Sequence, residues 1–200
     1  MNRVRVPDPA VARLQALMPR VSGPPRVPPA AVRQLRPLAW LVAVTTARLT
    51  GTGPPAIFTT LGRHPRLFRA WLFYSAHLMP FGTLPRIDSE LVILRVAWQC
   101  GAAYEWWQHV PLGLRAGLRP EEVASAASGP PAADLSEHQR LLVAITDELL
   151  SQRALSDKTW HAARQTLTER GVIEMCLLVG HYQGLASAIG GLGIQLEDGA

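Results

Sequence analysis

Two hundred residues, 48% of them apolar, are enough to bury a sizeable core as one domain without covalent staples. The net charge of +5 comes from arginines scattered singly, with no basic block or helical stripe, so no nucleic-acid partner is expected. Two cysteines, Cys100 and Cys176, fit neither a C-x-x-C nor a zinc-knuckle spacing, which gives no support to a disulfide framework or a structural zinc site.

At the N-terminus, MNRVRVPDPAVARLQALMPR mixes arginine and proline and has no continuous apolar region before a small-residue cleavage site, so it does not read as a secretory signal. PRVSGPPRVPPA, residues 19 to 30, removes backbone donors and fixes φ repeatedly. It predicts an extended connector more readily than a polyproline ligand. Residues 1–30 therefore read as a proline-rich segment ahead of a helical domain over 31–197. The longest apolar run, PLAWLVAV from Pro37 to Val44, is too short to cross a bilayer, so a soluble cytoplasmic protein with no membrane partner is expected.

From there the pattern predicts helices over 30–50, 55–61, 65–79, 85–100, 102–117, 120–127, 136–152, 156–170 and 171–190, with a loop at the Ser-Gly-Pro-Pro stretch 128–131. In SEHQRLLVAITDELLSQ, Leu141, Leu142, Ile145 and Leu149 recur at helical spacing, and Ser136 with Gln139 forms a capping box. No window shows sustained strand alternation, so the fold class is all-α.

RIDSELVILRVAWQC enters a helix near Leu84 with Pro85 in its first turn. Ile87, Leu91, Leu94 and Trp98 share a face, and Glu90 falls inside that stripe. A carboxylate turned to the core needs a partner or a proton. The next helix offers Glu105 and His109, an i, i+4 pair, after a break at Gly101. With the two helices antiparallel, Glu90, Tyr104, Glu105 and His109 would share a pocket suited to proton transfer. The plainer alternative makes Glu105 and His109 a surface pair and joins Glu90 to Arg86 or Arg95.

Pro111 stands two residues past His109 and cannot bond back to the Trp107 carbonyl. The helix is expected to kink, freeing that carbonyl into the pocket, or to begin later. E-x-x-x-H is a weak metal signal, and neither a metal nor a cofactor is expected. Cys100 reads as a small buried hydrophobe, and Trp98, Trp106 and Trp107 as packing and subunit contact. Of the remaining histidines, His181 beside Tyr182 is the one placed to line the same cavity.

E-L-V-I-L-R-V-A from Glu90 and Y-E-W-W-Q-H ending at His109 resemble the carboxymuconolactone decarboxylase and alkylhydroperoxidase D-like family. T-L-G-R-H-P-R-L-F upstream, and T-D-E-L-L and G-H-Y-Q-G downstream, resemble its longer members. The resemblance implies a single-domain alkylhydroperoxidase D-like helical bundle that assembles as a homo-oligomer, with the pocket near subunit contacts. The peroxidase branch carries a glutamate, C-x-x-C and a histidine. Here the cysteine positions fall on Ala102 and Glu105, a relay histidine position falls on Tyr104, and Cys100 lies two residues too early. Dithiol peroxide reduction needs an attacking and a resolving thiol, so that mechanism is not expected.

The decarboxylase-like branch then implies a lyase-type enzyme working on a small carbonyl, lactone or carboxylated substrate. His109 would be base or acid, Glu105 its electrostatic partner or a second acid, Glu90 a buried orienter and Tyr104 a donor to an oxyanion. The alternative is a non-catalytic helical oligomer with a ligand-binding pocket.

Overall fold

In the computed structural model, residues 8–21, 23–50, 53–128 and 134–197 are described. They form ten α-helices and one short 3-10 turn, Val32–Gln34, with no strand among the described residues. The helices are α1 Pro9–Gln15, α2 Pro37–Thr50, α3 Ala56–Leu61, α4 Pro65–Leu78 and α5 Arg86–Gln99. They continue with α6 Ala103–Ala116, α7 Pro120–Ala126, α8 Glu137–Gln152, α9 Asp157–Thr166 and α10 Glu169–Leu192.

Proline sets many of the entries: Pro9, Pro37, Pro65 and Pro120 each open a helix, where the missing N–H bonds nothing anyway. The Ser136–Gln139 capping box is present, with Ser136 N–H donating to Gln139 Oε1 at 2.9 Å and Gln139 N–H to Ser136 Oγ at 3.2 Å.

Helix α5 is the axis of the bundle. Its ten residues from Asp88 to Ala97 are all buried, because α6, α7, α8 and α10 surround it. The expected one-sided apolar stripe is thus a helix wrapped on every face, and each polar side chain inside it has a designated partner. Arg95 forks onto Asp147 at 2.7 and 2.8 Å and donates to the Ala126 carbonyl at 3.1 Å. Asp88 meets His138 at 2.7 Å. Gly101, at φ 62°, supplies the left-handed residue that lets α6 fold back on α5.

Three expectations are corrected. The break between the last two helices comes at Leu167 and Thr168, where the Thr168 side chain accepts from Gly171 N–H and caps α10; the expected boundary at 170 overlooked that cap. The helix expected from residue 30 begins at Pro37. The N-terminal segment also contains α1, whose Leu14, followed by Met18, packs into the core with Trp106 and Val110.

The described residues of the proline-rich connector that follows bend at Gly23, Arg26 and Val27 and lie against the bundle: Arg26 and Val27 N–H donate to the Leu192 carbonyl and Ala30 N–H to that of Thr59. Residues 1–7 of the N-terminus, Ser22 of the connector, and residues 129–131 of the expected loop lie outside the described residues. One described helix, α10, is long and apolar enough to cross a membrane, which the longest unbroken apolar run did not reveal. Its packing against α5 and α8 accounts for much of that composition.

Candidate functional site

The antiparallel turn at Gly101 brings α6 residues opposite the first half of α5. The helices approach closely at Gly113, where an added Cβ would stand 3.1 Å from Leu94 and 3.8 Å from the Cβ of Glu90. Beside this crossing Glu90 is fully buried and His109 is 7% exposed, with His109 Nδ1 2.8 Å from Glu90 Oε2. Arg86, one turn earlier on α5, places Nη2 2.6 Å from Glu90 Oε1 as an ion pair without hydrogen-bond alignment. Both expected partners of Glu90, the imidazole and an arginine, are therefore present, one on each carboxylate oxygen.

Glu105 is different. It lies in the first turn of α6 and is 2% exposed, yet neither of its oxygens has a hydrogen-bond partner. Burial pushes its carboxyl up from 4.5 to about 8, so at neutral pH it carries its proton. Glu105 is thus not the ion-pair partner of His109. Glu90 takes that place, because α5 presents a carboxylate oxygen directly to the ring at 2.8 Å while the i, i+4 neighbour sits unpaired in the interior.

Tyr104 is also corrected. One helical step from Glu105, it faces away from the site, donating to Glu197 Oε1 at 2.7 Å and accepting from Ile57 N–H at 3.2 Å. Gln108 on the same face donates to Glu197 Oε2 at 2.8 Å, so Tyr104 and Gln108 fasten the C-terminal segment to α6.

The place expected for Tyr104 is taken by Tyr182 of α10. Its ring meets the His109 imidazole edge-on, with centroids 5.3 Å apart and planes at 86°. Burial, with the charges of Glu90 and Glu105 adding to it, holds the Tyr182 phenol well above its ordinary range. Nothing in the spacing around Glu90 and His109 identifies this residue; the sole sequence signal is its position in G-H-Y-Q-G. On its far side His181 contacts Tyr182 at 5.3 Å and bonds Ser75 Oγ through Nε2 at 3.0 Å.

Two cavities lie among the described residues nearby, and neither is lined by Glu90, Glu105 or His109, which are 0%, 2% and 7% exposed. One, of about 120 Å³, lies by Cys100, Tyr104 and Ile189. The other, of about 590 Å³, is lined by α3, α4 and α10 and includes His181.

The carbonyl of Trp107, freed by Pro111, also avoids the site. Helix α6 runs from Ala103 through the proline, and Gln15 of α1 donates to that carbonyl at 2.8 Å. Trp106 and Trp107 donate to the Leu14 and Met18 carbonyls, each at 2.9 Å, so both rings anchor the N-terminal segment.

Cys100 is exposed at the end of α5, not buried as expected, and Cys176 lies partly buried in α10; both are free thiols. Among the described residues no group of three His, Cys, Asp or Glu side chains is arranged to hold a metal ion.

Residues 65–148 match the model of the carboxymuconolactone decarboxylase family. Among solved structures, the chain is similar to an alkylhydroperoxidase AhpD core, an uncharacterized peroxidase-related protein from Ralstonia eutropha JMP134. The identity is 16% and the TM-score 0.79, covering 89% of this chain and 95% of that one. An uncharacterized peroxidase-related protein from Silicibacter sp. TM1040 is similar at 12% identity and TM-score 0.77, covering 90% of this chain and 95% of that one. The debrominase Bmp8, solved as a cysteine-to-alanine variant with 2,3,4-tribromopyrrole, is similar at 16% identity and TM-score 0.72, with 90% and 95% covered. No curated protein matches the sequence.

Proposed function

From the match of residues 65–148 to the carboxymuconolactone decarboxylase family, we propose that the chain is a member of it and an enzyme moving protons on a small carbonyl, lactone or carboxylated substrate without thiols. The observation that carries this reading is the contrast between two buried acids. Glu90 is held by His109 on one oxygen and Arg86 on the other, whereas Glu105, unpartnered, keeps a proton to about pH 8. A carboxylate that orients an imidazole and a carboxyl that keeps its proton supply a base and an acid at one pH.

In this reading Glu90 fixes the imidazole through Nδ1, leaving Nε2 to accept a proton from the carbon beside the substrate carbonyl. Glu105 gives its proton to the carbonyl oxygen as the enol forms. Return of a proton to carbon completes the exchange; in a substrate with a carboxylate β to the carbonyl, loss of carbon dioxide instead moves the C–C electron pair into the enolate, Glu105 protonates its oxygen, and a solvent proton then adds to carbon as the enol proton returns to Glu105. Tyr182, packed against His109, controls approach to the ring.

The homo-oligomer belongs to the same proposal. Phe81, 78% exposed on the loop that Glu174 fastens to α10, and Ile173 and Leu177, 55% and 47% exposed on the first half of that helix, form the contact surface.

The test is deuterium uptake beside the carbonyl, together with carbon dioxide release, across a panel of small carboxylated lactones in heavy water. Catalysed exchange that disappears in His109→Gln at unchanged melting temperature is the expected result. Exchange no faster than buffer, or undiminished in His109→Gln, overturns the reading. For the contact surface, Leu177→Glu is expected to lower the sedimentation coefficient, and an unchanged value refutes that surface.

A further inference from the structure

The cavity of about 590 Å³ lies within the range of small-molecule sites and is walled by Leu61, Phe68, Trp71, Leu185 and Leu192. Its floor is α10, where Gly180 and Gly184 follow each other at one turn and a Cβ built at either meets nothing within 4 Å. Phe58, Phe68, Trp71 and His181 form a chain of ring contacts along one side, from the 6.3 Å edge contact of Phe58 with Phe68 to the 6.4 Å stack of Trp71 on His181. Polar character is concentrated in a few residues. His181 is kept below its ordinary range by burial, so it is neutral at pH 7. His64 uses Nδ1 to accept the Leu67 N–H. Arg63, at the rim, is exposed, and its guanidinium has no ion pair or hydrogen bond among the described residues.

We propose that this cavity is a binding site for a flat apolar carboxylate, its ring system lying on the Gly180–Gly184 floor against Phe68 and Trp71 and its carboxylate meeting Arg63. The glycines leave room for a planar body, the aromatic wall supplies ring contact, and the unpaired guanidinium supplies a cation at the rim. A second copy is the competing occupant, because Glu169, Ile173 and Leu177 share this exposed face of α10, and sedimentation of Gly184→Leu separates the two. The site lies across Tyr182 from His109 and stands independently of the proton-transfer reading.

The experiment is calorimetric titration of the full chain with 2-naphthoate and with its neutral amide, 2-naphthamide. Wild type is expected to bind 2-naphthoate saturably at one site per chain. Gly184→Leu, which fills the floor from an exposed helical position, is expected to abolish binding, and Ala188→Leu serves as a second filling variant should the first misfold. Arg63→Gln is expected to weaken 2-naphthoate by about tenfold, the loss of one charge-assisted contact, while leaving 2-naphthamide unchanged. The proposal is overturned by absence of saturable binding, or by binding indifferent to both filling variants. It is equally overturned if Gly184→Leu changes the sedimentation coefficient and no naphthoate binds, because the cavity is then a subunit contact.

Discussion

Glu90 and His109 meet at 2.8 Å in the interior, joining the first half of α5 to the middle of α6 near their close approach at Gly113. Removing the carboxylate strands a buried ring nitrogen and releases Arg86, which is exposed enough to turn to water. Glu90→Ala is expected to cost about 3 kcal/mol and Glu90→Gln, which preserves an acceptor, about 1 kcal/mol. Urea denaturation of the two variants checks the difference; equal costs would mean that the contact with His109 contributes nothing.

Glu105 makes stability depend on pH with a definite sign. Its carboxyl titrates near 4.5 when unfolded and near 8 when folded, so between those values the folded chain holds a proton that the unfolded chain has released. Stability from this group therefore falls as pH rises from about 4.5 to about 8, by about 4 to 5 kcal/mol at about 1.4 kcal/mol per unit. Glu105→Gln, a neutral mimic, is expected to match wild type near pH 5 and exceed it at pH 9, as read from denaturation midpoints across that range.

Gln15 and Pro111 are coupled through the Trp107 carbonyl. In wild type, Gln15→Ala leaves that oxygen unpaired and costs about 1 to 2 kcal/mol. With Pro111→Ala the backbone N–H at 111 returns to it, so Gln15→Ala then costs less. A double-mutant cycle measures this as an interaction energy of about 1 kcal/mol, and additivity would contradict it.

Much of the frame was legible because helical spacing is a local signal. Glu90 inside an apolar stripe, Gly101 at the turn and Ser136 with Gln139 all follow from it. What was not legible depends on tertiary packing. The seven residues of α1 are too few for periodicity to announce, and they are helical because Trp106, Trp107 and the carbonyl freed by Pro111 hold that segment. Tyr104 and Glu105 are neighbours in sequence, but one helical step sends the hydroxyl to Glu197 and the carboxyl into the core. Tyr182 comes from α10, some seventy residues away, and no spacing rule links it to His109.

The cysteines are expected to be dispensable. Burial raises both thiols above their ordinary range, with the charge of Glu105 adding to the effect at Cys100, so iodoacetamide should react slowly at pH 7 and faster above pH 9. Replacing Cys100 and Cys176 together by serine should leave the proton-transfer activity unchanged; loss of activity in that variant would bring thiol chemistry back.

Glu105, buried without a partner, keeps its proton at neutral pH. Carbon-13 NMR of the glutamate side-chain carboxyls, with Glu105 assigned through Glu105→Gln, tests it most directly. The account predicts a Glu105 midpoint near pH 8. A midpoint near 4.5, that of a solvated carboxylate, would contradict it and remove the acid from the proposed chemistry.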